Sequence, residues 1–349
     1  CPRNRYILNM QGKTLSELAH NAFDERRRLV APLAGFPGVE MIDSNIKIAQ
    51  QNYGEHYKAI RKLVDTFQPD LVFPLMDLAV EANALGRYTI FPKADSATVP
   101  KDQFSILELD RLKQINITFD SRLMGYVEMM KLMSVTLPPG LLKGGYVVGP
   151  FTLAGLMMGA EDAVMSTVLN PETLHTLCHF TTERIQEYIQ LLISAGADVI
   201  CLLEPTAVML SPEQFSEFSA IYIRHITTSF KYSGINFVYH TCGNTMHLAQ
   251  KMARSGVDGL SLDSREVGVD LAAVARGVPE DVVVIGNINP ATTMRFGSPA
   301  DVRREVNALL GEMEGQPNFV LSTGCDLPQE TPTANIREFM EAGRAWKRR

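Results

Sequence analysis

His240 and Cys242 stand one residue apart in the segment FVYHTCG (237–243), and Cys325 stands far downstream in VLSTGCD (320–326). One imidazole and two thiols form a soft nitrogen-and-sulfur donor set, the kind Zn²⁺ prefers. Three protein ligands leave a fourth position for a substrate, so the pattern points to a metal that activates something rather than one that staples a fold. Glu204, in LLEPTA (202–207), is the first candidate for a fourth ligand that substrate would displace. A carboxylate that caps a helix or closes a loop would look the same in sequence. Asp263 and Asn287 each follow an apolar run and are candidates to hydrogen-bond the ligands, because a metal-bound histidine needs a partner on its other nitrogen. The same two residues could equally cap their turns.

The elements that must position these groups are short continuous apolar runs, read as strands covered on both faces: 71–74, 146–149, 199–203, 237–240, 259–262, 282–286 and 319–322. Between them, Asn170-Pro171, Ser211-Pro212, Ser298-Pro299 and Thr331-Pro332 each set a capping residue before a proline, the signature of a helix start. This βα alternation predicts a parallel sheet, and seven visible strands predict a (β/α)₈ barrel with one strand unlocated. The whole chain, 1–349, is expected to form one barrel domain, with residues 1–66 a helical covering segment. Residues 97–142 read as helical and are expected to cap or insert over the mouth. In such a barrel the active site forms at the carboxyl ends of the strands. Asp77, Glu204, His240, Cys242, Asp263, Asn287 and Cys325 all fall there.

With 349 residues, 46% of them hydrophobic, and a net charge of −6 of mixed sign, the chain can bury a large core. It shows no basic stripe for nucleic acid and no apolar run that would span a bilayer. Five scattered cysteines suit a reducing, cytoplasmic setting better than a disulfide framework. Cys178 and Cys201 read as buried apolar residues. His247 reads as a solvated side chain, and His20, His56, His175, His179 and His225 fall in helical stretches without cysteine partners. The chain begins at Cys1 without an initiator Met, so a short preceding piece is expected.

The segments GPFTLA (149–154), HTCGNT (240–245), GNINP (286–290) and STGCDLP with Thr331-Pro332 resemble the uroporphyrinogen decarboxylase superfamily. More narrowly, they are similar to its zinc-dependent, corrinoid-linked methyltransferase branch, which includes methylcobalamin:coenzyme M methyltransferases. The resemblance runs from about Pro69 to Gly343. It implies a (β/α)₈ barrel and a zinc site on His240, Cys242 and Cys325. Two features depart from the relatives. Pro2-Arg3-Asn4-Arg5 does not match the arginine-rich motif with which decarboxylases grip porphyrinogen carboxylates, and the methyltransferases' Asp-Arg-x-Pro opening is absent from the first sixty residues. Glu204 also stands where the relatives usually carry Asp-Pro.

The implied activity is methyl transfer from a methylated corrinoid to a thiol such as coenzyme M, or to tetrahydrofolate. Asp77 and Glu81 are then expected to orient substrate or touch the corrinoid. No cobalamin-binding Asp-x-His-x-x-Gly motif and no nucleotide loop is present, so the corrinoid is expected on a separate partner protein. A homodimer is allowed for. Three rivals stay open: a donor-side enzyme passing methyl from a methoxy, methylthiol or methylamine compound to Co(I); a metal-free decarboxylase; and a non-catalytic scaffold subunit.

Overall fold

The computed structural model describes residues 13–101 and 104–348. Cys1 and the Pro2–Arg5 stretch lie outside the described residues. Eight strands run parallel: β1 (Leu29–Val30), β2 (Leu71–Val72), β3 (Leu142–Val148), β4 (Val199–Leu203), β5 (Asn236–Thr241), β6 (Gly259–Leu262), β7 (Val283–Ile288) and β8 (Phe319–Thr323). Their order is β1-β8-β7-β6-β5-β4-β3-β2, the circular order of a barrel opened at one seam. Asp70 bridges that seam: its N–H donates to the Val30 carbonyl (3.0 Å) and its Oδ2 accepts from the Val30 N–H (2.8 Å). The barrel is therefore nearly closed, a (β/α)₈ fold as expected.

All seven expected strands are present, and the missing eighth is β1. Reading residues 1–66 as a purely helical cover overlooked it, because a two-residue strand gives no periodicity to read. Around β1 that segment does supply helices, at Leu15–Asp24, Gly35–Glu40, Ile46–Gln51 and Tyr53–Phe67. The stretch 97–142 also differs from expectation. Its main helix, Ser121–Thr136, packs on β3 and on the helix Tyr53–Phe67, in the barrel wall. Ser211 and Ser298 form the expected capping boxes, with Gln214 and Asp301. Asn170 precedes its helix without a side-chain cap bond, and the last helix begins at Thr333, after rather than on Pro332.

Period-two alternation sorts the side chains. Leu29, Leu71, Leu142, Tyr146, Val199, Cys201, Leu203, Val238, Val283, Ile285 and Val320 meet inside the barrel, while the complementary positions pack under the surrounding helices. His240 lies two residues beyond Val238, in register with Leu203 on one side and Ser261 on the other, so it too faces inward. Gly144 faces inward on β3 because a Cβ there would lie 2.1 Å from the Phe73 ring. That ring stacks on Tyr146 with centroids 4.7 Å apart. Among the described residues no helix is long and apolar enough to cross a membrane.

Candidate metal centre

Strands β5 and β8 are not neighbours, yet their ends converge across the mouth. His240 ends the inward face of β5, and Gly243, at φ +86°, turns the chain immediately after Cys242. On the other side, Gly324 donates its N–H to the Ile288 carbonyl (2.8 Å). A Cβ at Gly324 would lie 2.6 Å from the Ser264 nitrogen, so only glycine lets β8 deliver Cys325 this close to the β6 loop. Cys242 Sγ sits 3.5 Å from His240 Nε2 and 3.1 Å from Cys325 Sγ, and Cys325 Sγ is 3.7 Å from His240 Nε2. Around a tetrahedral zinc, sulfurs would be ~3.8 Å apart and sulfur and nitrogen ~3.6 Å apart, from ordinary Zn–S and Zn–N bond lengths. The two sulfur–nitrogen spacings already fit such an ion, and the sulfurs would have to separate by about 0.7 Å. Both thiols are free. The adjoining Cys242 thiol and burial push the Cys325 pKa well above its ordinary value, against the pull of His240. A cation bound beside Cys325 would favour its thiolate. Among the described residues, His240, Cys242 and Cys325 form a metal-capable group.

His240 Nδ1 lies 3.0 Å from Ser261 Oγ, which leaves Nε2 facing the sulfurs. Ser261, rather than Asp263 or Asn287, is the partner of the imidazole. Asp263 instead accepts from the Gly243 N–H (2.8 Å) and the Ser264 N–H (2.6 Å). Asn287 donates to the Asp263 carbonyl (2.8 Å). The pair therefore braces the loop that carries Cys242.

Glu204 is not gathered with the three ligands. Its carboxylate accepts from the N–H groups of Phe151 (3.0 Å) and Thr152 (2.8 Å) and from the Thr152 hydroxyl (2.6 Å), at the start of the helix Pro150–Met158. Gly149 makes room, since a Cβ there would lie 2.1 Å from Glu204 Cγ. Burial raises the Glu204 pKa to about 7, while those hydrogen bonds oppose the rise. Among the described residues, the donors to this carboxylate come from the start of that helix, as the helix-capping reading expects.

Asp77 and Glu81 are also committed inward. Asp77 pairs with Arg122, accepts from the Tyr126 hydroxyl (2.7 Å) and from the Ala79 N–H (2.9 Å), and is buried. Glu81 accepts from the Val148 N–H (2.8 Å), and its other oxygen is buried without a partner. Burial raises its pKa to about 8. His56, expected only in a helix, accepts the Leu75 N–H (2.8 Å); burial and Arg122 lower its pKa to about 3. His247 Nε2 lies 3.3 Å from the Leu210 carbonyl oxygen, and Cys178 and Cys201 are buried. A surface groove of about 710 Å³ runs between residues 113–118 and the helix Pro171–Ser194, and none of these site residues lines it.

Sequence reasoning missed three residues. Ser261 could have been found, since parallel pairing sets it beside His240 and alternation turns it inward. Asp326 adjoins Cys325 and is half-buried, accepting from the N–H groups of Gly35 and Met76 (3.2 Å each), so it ties the ends of β1, β2 and β8 together. Burial raises its pKa to about 7. Tyr146 faces the barrel interior with a buried hydroxyl that has no partner. Within an apolar run a tyrosine reads as core, so no signal marked it.

The chain is 28% identical over 243 residues to the methylcobamide:CoM methyltransferase MtbA of Methanosarcina acetivorans, covering 69% of this chain and 68% of that protein. It is 25% identical over 297 residues to the uroporphyrinogen decarboxylase of Synechococcus sp. strain CC9902, covering 83% and 82%. A methyltransferase from Methanosarcina mazei superposes with a TM-score of 0.83 at 20% identity, covering 95% of this chain and 98% of that one, and so shares the fold. The uroporphyrinogen decarboxylase (URO-D) family pattern matches residues 56–346, and the chain belongs to that family.

Proposed function

We propose that this chain is a zinc-dependent methyltransferase that moves a methyl group from a methylated corrinoid, carried on a separate protein, to a thiol such as coenzyme M. The observation that carries the reading is the convergence of His240 Nε2, Cys242 Sγ and Cys325 Sγ within 4.8 Å of one another. Zn²⁺ held there would supply a Lewis acid that keeps a substrate thiol deprotonated near neutral pH, where a free thiol is mostly protonated. The similarity to methylcobamide:CoM methyltransferases favours the thiol over tetrahydrofolate as acceptor, and the acceptor side over the donor side. Decarboxylase relatives match over a longer stretch, but a porphyrinogen decarboxylase would leave the two convergent thiols without a task.

The chain's own residues set the conditions. Ser261 fixes the imidazole, and Asp263, Asn287 and Gly324 hold the two cysteine loops against each other. Exposed Met209, Met246, Val267 and Phe296 lie on the loops that follow β4, β5, β6 and β7, at the mouth end of the barrel. Such an apolar rim suits the docking of a corrinoid protein. Four thiols left free in the described chain suit a reducing cytoplasm.

The test is anaerobic demethylation of methylcobalamin, followed by its visible absorbance, with zinc-loaded protein and either coenzyme M or tetrahydrofolate. Turnover with coenzyme M is expected. Turnover with tetrahydrofolate alone would reassign the acceptor. Failure with both, with zinc measured on the protein, would move the assignment to the donor side.

A further inference from the structure

We propose that Tyr146 binds the acceptor, its hydroxyl donating a hydrogen bond to the sulfur of the substrate thiolate. The inference rests on the thiol-acceptor reading above and deepens it.

Tyr146 lies on β3 in register with Cys201, which pairs in turn with Val238, and all three line the barrel. Its ring is held by the stack on Phe73, and Phe73 is itself fixed by the space that Gly144 leaves. The residue is 7% exposed, and its hydroxyl is buried with no hydrogen-bond partner among the described residues. Other buried tyrosines of the barrel are served differently: Tyr126 donates to Asp77, and the Tyr239 hydroxyl lies 3.3 Å from Ser219 Oγ. An unmatched buried hydroxyl costs about 1–3 kcal/mol, whereas phenylalanine would keep the same stack without that cost. A tyrosine at this place is therefore explained by a partner from outside the chain.

The surroundings say what partner. Tyr146 pairs with Cys201, two residues before Leu203, and Leu203 is the partner of His240, so the tyrosine lines the barrel one layer below the imidazole of the metal centre. A tyrosine hydroxyl is protonated near neutral pH and so is a donor. Neither ligand sulfur takes its hydrogen bond. A donor so placed suits an anionic acceptor brought up to Cys242 and Cys325, and a thiolate sulfur is that acceptor, since hydrogen bonds to charged groups are the strong ones.

The experiment compares wild type with Tyr146→Phe, each loaded with Co²⁺ in place of zinc. Coenzyme M is titrated while the thiolate-to-cobalt charge-transfer band is followed, and imidazole is titrated as a neutral ligand with no lone pair left to accept. Metal content and thermal midpoint are measured in parallel. The expected result is an affinity for coenzyme M lower by about tenfold in Tyr146→Phe, with imidazole affinity and metal content unchanged. Equal coenzyme M affinity in the two proteins overturns the inference while leaving the thiol-acceptor reading standing. A parallel loss of imidazole or metal affinity also overturns it, by showing that the hydroxyl serves the ligand cysteines. If wild type takes up no coenzyme M, the acceptor reading falls and the inference with it.

Discussion

Two polar clusters sit at strand ends of the same barrel, and the protein treats them in opposite ways. After β2, the carboxylate of Asp77 meets Arg122, Tyr126 and a backbone N–H, and Glu81 binds the N–H of Val148. After β5 and β8, the sulfurs of Cys242 and Cys325 have, among the described residues, only each other and His240 within reach. In the first cluster the protein consumes its own polar groups and gains rigidity. In the second it withholds partners, and groups left without partners inside a barrel mouth are available to a ligand. Position at a strand end is common to both; saturation separates them.

Cys325→Ser tests the unsaturated cluster and should give the largest effect. A hydroxyl is a poor replacement for a thiolate at a soft site, and even residues one step removed from a metal affect affinity or activity by about 10–100-fold. Zinc per chain should fall to near zero after mild chelation, and methylcobalamin turnover should fall by more than about 100-fold. Glu204→Gln should leave the zinc count unchanged, because its carboxylate faces the helix at Pro150. Retained zinc in Cys325→Ser, or lost zinc in Glu204→Gln, measured by metal analysis, would reverse the assignment of the ligands.

Asp77→Ala tests the saturated cluster and should do the converse. The Asp77–Arg122 pair is almost wholly enclosed, and removing one member of a buried pair costs about 3–5 kcal/mol because the other is left charged and alone. Arg122 would retain only the Gln50 carbonyl and the rings of Phe91 and Tyr126. Urea denaturation should show this loss of stability, with the zinc content of the folded protein unchanged. A variant as stable as wild type but inactive would return Asp77 to the substrate-contacting role that sequence first suggested.

The contrast also explains what the sequence could tell. Seven strands were legible because each is a continuous run of buried residues, and the metal triad because His-x-Cys and a distant Cys are rare types at strand ends. β1 was not legible, since Leu29–Val30 is too short to have a period. Nor could sequence say which strand-end carboxylates were already spoken for. The partners of Asp77 lie 45 and 49 residues away on a wall helix, and those of Glu204 lie 52 and 53 residues away at a helix start. Saturation is a tertiary property, and no local pattern records it.

Glu81→Gln sharpens the comparison within the cluster after β2. Burial, with Asp77 adding to it and the Val148 N–H and Arg122 opposing it, raises the Glu81 pKa to about 8 from an ordinary 4.5. Between those values the native state keeps a proton that the unfolded chain has released, so stability falls as pH rises through the window and levels off above it. Glutamine stays neutral throughout and offers the same carbonyl to the Val148 N–H. The variant should therefore match wild type at about pH 5 and be the more stable of the two at about pH 9, by no more than ~1.4 kcal/mol for each unit of pKa shift. Glu204 and Asp326, also raised by burial, are common to both proteins and cancel in the difference. A difference independent of pH, from urea denaturation across the range, would mean that Glu81 is ionised in the native state. Its second oxygen would then be paired rather than withheld, and the cluster after β2 would differ more sharply from the metal centre.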